Sequence, residues 1–104
     1  MKIIKKLSEM IEDEIDGAKC YAKKALEWKE TDAELASVLY KLSEEEMRHY
    51  EVLHEQVTRI IADYRKNTGD PPPAMLAVYD YLHDKQIEEA ERVKNYQSMY
   101  KQSR

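Results

Sequence analysis

The chain has 104 residues, of which 42% are hydrophobic and 37% are charged, with only two glycines and three prolines. This composition is typical of long amphipathic helices, and no run alternates as a β-strand does, so we predict an all-α fold in one domain over residues 1–104. The net charge of −4 argues against a nucleic-acid partner. The single cysteine, Cys20, excludes an internal disulfide and a cysteine-ligated metal site within this chain.

The sequence also lacks the features of a membrane or secreted protein. No apolar run approaches the ~20 residues that cross a bilayer. The N-terminal residues 1–7 include three lysines instead of the apolar core of a signal peptide. We therefore predict a cytoplasmic protein that does not bind membranes.

Apolar residues recur at alternating steps of three and four along most of the chain, which is the spacing of one helical face. This pattern predicts helix 1 at about 3–29, helix 2 at about 32–66 and helix 3 at about 74–100. Thr31, with Glu34 three residues later, fits a capping box that opens helix 2. The segment 67–73 contains Gly69 and three prolines, which favour a helix end and a linker.

The short break between helices 1 and 2 predicts an antiparallel helix hairpin. Helix 2 would be ~50 Å long at 1.5 Å per residue, which is long for a small domain. We therefore expect a second copy of the chain to complete a four-helix bundle, giving a homodimer or a higher homo-oligomer.

Apart from Glu89 in helix 3, charged residues occupy three core steps of this pattern, namely Glu14 in helix 1 and Glu46 and His49 in helix 2. The predicted inward stripes are Ile4, Leu7, Ile11, Glu14, Ala18, Tyr21, Ala25 and Trp28 in helix 1; Leu35, Leu39, Leu42, Glu46, His49, Leu53, Val57 (or Gln56), Ile60 and Tyr64 in helix 2; and Met75, Val78 (or Tyr79), Leu82, Gln86, Glu89, Val93, Tyr96 and Tyr100 in helix 3.

The three charged residues suit a metal site. Burying a carboxylate and an imidazole costs several kcal/mol unless a partner compensates, and iron and manganese accept both ligand types. Glu14 lies about fourteen residues before the end of helix 1, and Glu46 lies about fourteen after the start of helix 2, so an antiparallel hairpin puts them at one height. Alternatively, the stripe is displaced by one step, and Glu46 and His49 are surface residues.

A second Glu-x-x-His motif, formed by Glu51 and His54, follows the first at an offset of five residues. Five residues correspond to about 140° around a helix, so the two motifs cannot face the same core. We expect Glu51 and His54 to face solvent or another subunit. His83 also lies off its stripe, and we expect it on the surface.

Helix 1 around residues 14–21, followed by Glu44-Glu45-Glu46-Met47-Arg48-His49, resembles the first half of the ferritin-like superfamily over residues 3–65. The closest likeness is to rubrerythrins and short encapsulated ferritins. The resemblance implies a di-iron carboxylate centre that oxidises Fe(II) with O₂ or peroxide. It also implies that Glu14 and His49 are terminal ligands, that Glu46 bridges, and that Tyr21 lies behind them.

The resemblance is incomplete, because no second Glu-x-x-His follows Glu89 in helix 3. Two copies of Glu14, Glu46 and His49, related by a twofold axis, would still provide six ligands, as the short encapsulated type is understood to do. Iron is the expected metal, with manganese or zinc as alternatives, and the role of Glu89 stays open. The competing hypothesis is a non-catalytic helical interaction or assembly module in which the polar residues fix the register of the helices.

Overall fold

The computed structural model describes residues 1–102 as three α-helices. Helix α1 spans Lys2–Trp28, α2 spans Ala33–Thr68, and α3 spans Pro73–Gln102. No strand occurs within these residues, which confirms the predicted all-α class. The helices begin and end within two residues of the predicted bounds, and the linker between α2 and α3 is correspondingly shorter, at residues 69–72.

The two ends of α2 are fixed by local hydrogen bonds. Asp32 is the N-terminal cap, because its side chain accepts a hydrogen bond of 3.0 Å from the Leu35 N–H. The capping residue is therefore the aspartate after Thr31, and the Thr31 prediction was wrong by one residue. At the other end Gly69 adopts a φ of 100° and donates to the Arg65 carbonyl. This left-handed φ favours glycine and ends the helix as predicted.

The helices form an elongated bundle measuring 55 × 18 × 18 Å. Helices α1 and α2 run antiparallel, with the Ser43 hydroxyl donating to the Ala18 carbonyl at 2.7 Å. Helix α3 runs parallel to α1, because the Met1 amino group reaches the Tyr79 hydroxyl at 2.9 Å and Lys19 pairs with Glu89 at 3.3 Å. The backbone of α1 lies close to both neighbours, whereas α2 and α3 meet mainly through side chains, such as Ser43 with Gln97 and Tyr40 with Tyr100.

In α1, some of the buried residues are displaced by one position from the predicted stripe. Positions 4, 11, 18 and 25 are buried as expected, but Ile15 and Ala22 are buried in place of Glu14 and Tyr21, and Trp28 is exposed. In α2, likewise, Ser43 and Met47 are buried, not Leu42 and Glu46. The His49 side chain is 58% exposed, so its predicted core position was wrong and the alternative of a displaced stripe is confirmed for this residue. The buried residues of α1 are Ile4, Ser8, Ile11, Ile15, Ala18, Ala22 and Ala25.

Small residues explain this displacement. Ala18, Ala22, Ala25 and Ser43 are fully buried, and small side chains at a helix contact let the helix axes come close together. Helix α3 therefore packs on the side of the α1–α2 pair that carries these small residues. The bulkier predicted core residues remain at the edge of the bundle or on its surface. No helix within residues 1–102 is both long enough and apolar enough to cross a membrane.

Candidate metal centre

The structure brings the three predicted ligands together near the middle of the α1–α2 contact. Glu14 comes from α1, and Glu46 and His49 come from α2. One ligand atom from each residue lies within 4.8 Å of the others, and the Glu14 Oε2 and His49 Nδ1 atoms are 3.3 Å apart. Within residues 1–102 no other three or more His, Cys, Asp or Glu side chains meet in this way.

Glycine at position 17 makes room for the Glu46 carboxylate. Gly17 lies one helical turn after Glu14 in α1. A Cβ atom at this position would lie 3.2 Å from the Glu46 Oε2 atom, which is closer than ordinary van der Waals contact. The missing side chain therefore lets the carboxylate lie directly against the α1 backbone, at the height of Glu14.

The site faces away from α3. Helix α3 contacts α1 through the Lys19–Glu89 ion pair and contacts α2 through His54 and His83. Glu14 and His49 each lie five residues before these contact positions, which is about 140° around the helix. Glu89, whose role the sequence left open, pairs with Lys19 and Arg92 on the α3 side. It therefore does not join the three ligands within one chain.

Helical periodicity places several large apolar side chains on the same side of the α1–α2 pair as Glu14, Glu46 and His49. They come from both helices of the pair, and each is between 37% and 49% exposed. Together with the three ligands they form what we call the open face. Its members are Ile3, Met10, Glu14 and Trp28 of α1 and Leu35, Val38, Glu46 and His49 of α2.

The two carboxyl groups interact strongly. A hydrogen bond to Glu14, partial burial and repulsion from the Glu14 charge together raise the pKa of Glu46, and the nearby His49 partly offsets this. When Glu46 is protonated, it can donate a hydrogen bond to Glu14. A cation between the two carboxylates would relieve the same repulsion.

This raised pKa predicts a pH dependence for the metal-free protein. The folded chain binds the Glu46 proton more tightly than the unfolded chain does, so the stabilisation is complete below the ordinary pKa of 4.5 and is lost as the pH rises through the raised pKa. Thermal unfolding of chelator-treated protein across this range measures the effect. We expect Glu46→Gln, which keeps a neutral donor, to flatten the dependence, and identical curves for both proteins would contradict the pairing.

Gly17→Ala should separate stability from metal binding. Alanine favours a helix over glycine by about 1 kcal/mol, and the group it meets is the end of a flexible side chain. We expect the metal-free variant to unfold at a higher temperature but to bind Fe(II) more weakly, because its methyl group displaces the Glu46 carboxylate. Asp16→Ala, at an exposed neighbouring position, is the control and should leave Fe(II) binding unchanged. Unchanged Fe(II) binding in Gly17→Ala would show that the close contact is not needed.

Sequence reasoning missed a contact between two histidines. His54 was expected to face solvent or another subunit and His83 to lie on the surface, but their rings stack against each other with centroids 5.0 Å apart. Burial and the neighbouring His83 lower the pKa of His54. The position of His54, 140° from the first motif, was predicted correctly. What it faces depends on the register of α3, which helical periodicity does not determine.

Comparison with protein-family models, with curated proteins and with solved structures found no match to this chain.

Proposed function

We propose that this protein is a ferritin-like, di-iron carboxylate protein that oxidises Fe(II) with O₂ or peroxide at a site shared by two copies of the chain. The observation that carries the proposal is the convergence of Glu14, Glu46 and His49, whose ligand atoms lie within 4.8 Å of one another. The resemblance of residues 3–65 to the ferritin-like superfamily supplies the reaction.

The ligand set fits the metal. Carboxylate oxygens and an imidazole nitrogen suit iron and manganese, and they also accept zinc. A Glu from one helix and Glu-x-x-His from the next is half of the ligand set of ferritin-like di-iron sites. The four carboxylates of two copies would balance the charge of two Fe(II) ions.

The open face supports completion of the site by a second copy. Glu14 lies near the middle of α1. If a twofold axis passes through the site, the α1–α2 pairs of the two copies would therefore face each other along most of the length of α1. The apolar residues on both sides of the ligands, from Ile3 to Trp28 in α1, would then be buried. Large exposed apolar patches mark such interfaces in soluble proteins.

The residues of the chain would then have distinct roles. Fe(II) bound at the site would supply the electrons that reduce O₂ or peroxide. Glu46 would release its proton when cations bind, and the space beside Gly17 would let its carboxylate move as the charge of the site changes. Glu14 would hold its place from α1, and His49 would provide a neutral nitrogen ligand.

Aerobic oxidation of Fe(II), followed by near-ultraviolet absorbance, tests the proposal. We expect rapid formation of ferric absorbance in the wild type and slow oxidation, equal to that in buffer, in Glu46→Ala. The matched control is Glu45→Ala, which removes the adjacent exposed carboxylate and should oxidise Fe(II) as the wild type does. Equal rates in wild type and Glu46→Ala would overturn the assignment.

The competing function is a non-catalytic helical assembly module. It is favoured by the hydrogen bond between Glu14 and Glu46 and by the Glu14–His49 contact, because together they satisfy all three side chains without a metal. In that case Glu46→Ala would weaken assembly, and a chelator would have no effect on assembly. Chelator-sensitive assembly in the wild type that Glu46→Ala lacks would favour the metal site instead.

A further inference from the structure

We propose that His54 and His83 form a second metal site, between α2 and α3, for a divalent ion that prefers imidazole ligands, with Zn²⁺ as its representative. The two residues come from different helices, and the His54 Nε2 and His83 Nδ1 atoms are 3.3 Å apart. The site is separate from Glu14, Glu46 and His49, which lie on the open face.

The distance between the two nitrogens matches shared coordination. Zinc–nitrogen bonds are about 2.0–2.1 Å long and structural zinc is tetrahedral, so two nitrogens bound to one zinc lie about 3.3–3.4 Å apart. In the metal-free chain the two nitrogens share a hydrogen bond of 3.3 Å, and an ion would take the place of its proton without movement of either helix. Zinc, copper and nickel prefer imidazole, whereas calcium and magnesium prefer oxygen, so the pair selects the first group.

The surroundings leave room for the remaining ligands. A cavity of about 240 Å³ opens beside the two rings, and Thr58 and Asp80 line it as well. Asp80 lies three residues before His83 in α3, so the two side chains share one face of that helix. In the metal-free chain Asp80 does not join the two histidines as a third ligand, so water would complete the coordination unless the Asp80 side chain moves towards the ion.

The environment of His54 also favours a cation. Metal ions bind the neutral imidazole, and burial and the neighbouring His83 lower the pKa of His54, which favours the neutral form of that ring. Since the two histidines come from different helices, an ion held by both would add a link between α2 and α3. We expect bound Zn²⁺ to raise the unfolding temperature.

Zn²⁺ titration followed by NMR of the imidazole nitrogens tests this site directly, because the chain has only three histidines. The titration is run on the Glu46→Gln/His49→Gln double variant, which removes the first site and leaves two histidines. We expect the ring nitrogens of His54 and His83 to shift together. Adding His83→Gln should weaken Zn²⁺ binding on the order of tenfold or more, because one of two nitrogen ligands is lost.

The same titration on the wild type requires no substitution and guards against a variant that fails to fold. There the His54 and His83 signals should shift together, whatever happens to His49. Independent shifts of the two histidines, no shift, or equal affinity with and without His83 would overturn the second site. The Fe(II) oxidation assay on Glu46→Ala tests the first site separately. Either proposed site can therefore be disproved while the other stands.

Discussion

Val38→Lys is expected to convert the proposed dimer into a monomer and to abolish rapid Fe(II) oxidation, although all three metal ligands remain. Val38 is 49% exposed in the single chain, so the lysine costs the monomer little. It lies eleven residues before His49, or about 20° away around the helix, which puts it on the open face. In the dimer its ammonium group would be buried without a partner, at a cost of several kcal/mol.

Val78→Lys is the matched control for this experiment. Val78 is a valine of similar exposure, 55%, but it lies on α3. Sedimentation equilibrium measures the mass of each variant, and the aerobic assay measures its rate of Fe(II) oxidation. The control should keep the mass and the rate of the wild type. A dimeric Val38→Lys, or a monomeric variant with full activity, would contradict a site shared across the open face.

Ile15→Ala is expected to lower the free energy of unfolding by about 3 kcal/mol, within the range of 2–5 kcal/mol found for large-to-small core substitutions. Ile15 is 1% exposed and belongs to the main apolar cluster with Ile11, Met47 and Val93. Since small domains are stable by only about 5–15 kcal/mol, this one substitution removes a large part of the total.

Urea unfolding followed by circular dichroism measures this loss. Ile87→Ala is the control, because Ile87 is the same residue type on α3 but is 39% exposed, and it should cost well under half as much. Equal losses in the two variants would mean that the core does not lie where the structure places it. A change in the slope of ΔG against urea would indicate an altered unfolded state instead.

Features encoded by neighbouring residues were predictable from the sequence. The helix ends depend on local residues such as Gly69, which ends α2 without any contact to a distant part of the chain. Glu14 and Glu46 lie together because both are about fourteen residues from the same short connection. Neither inference needed the position of α3.

Features that depend on α3 were not predictable in the same way. In α1, Glu14 and Ile15 both continue a stripe of alternating three- and four-residue steps, and the packing of α3 decides that Ile15 is buried. The His54–His83 contact likewise depends on the register between two helices that are separated by a linker. The expected dimer and the site shared across it involve a second copy of the chain, and solution experiments test them.

Anaerobic Fe(II) titration, with the mass of the protein measured in the same solutions, tests whether two copies of the chain share a metal site. We expect a saturable break at one iron ion per chain, or two per dimer, and no break in Glu14→Gln or in Glu46→Gln. An absence of saturable binding in the wild type, or the same break in the wild type and both variants, would contradict a metal site built from Glu14, Glu46 and His49.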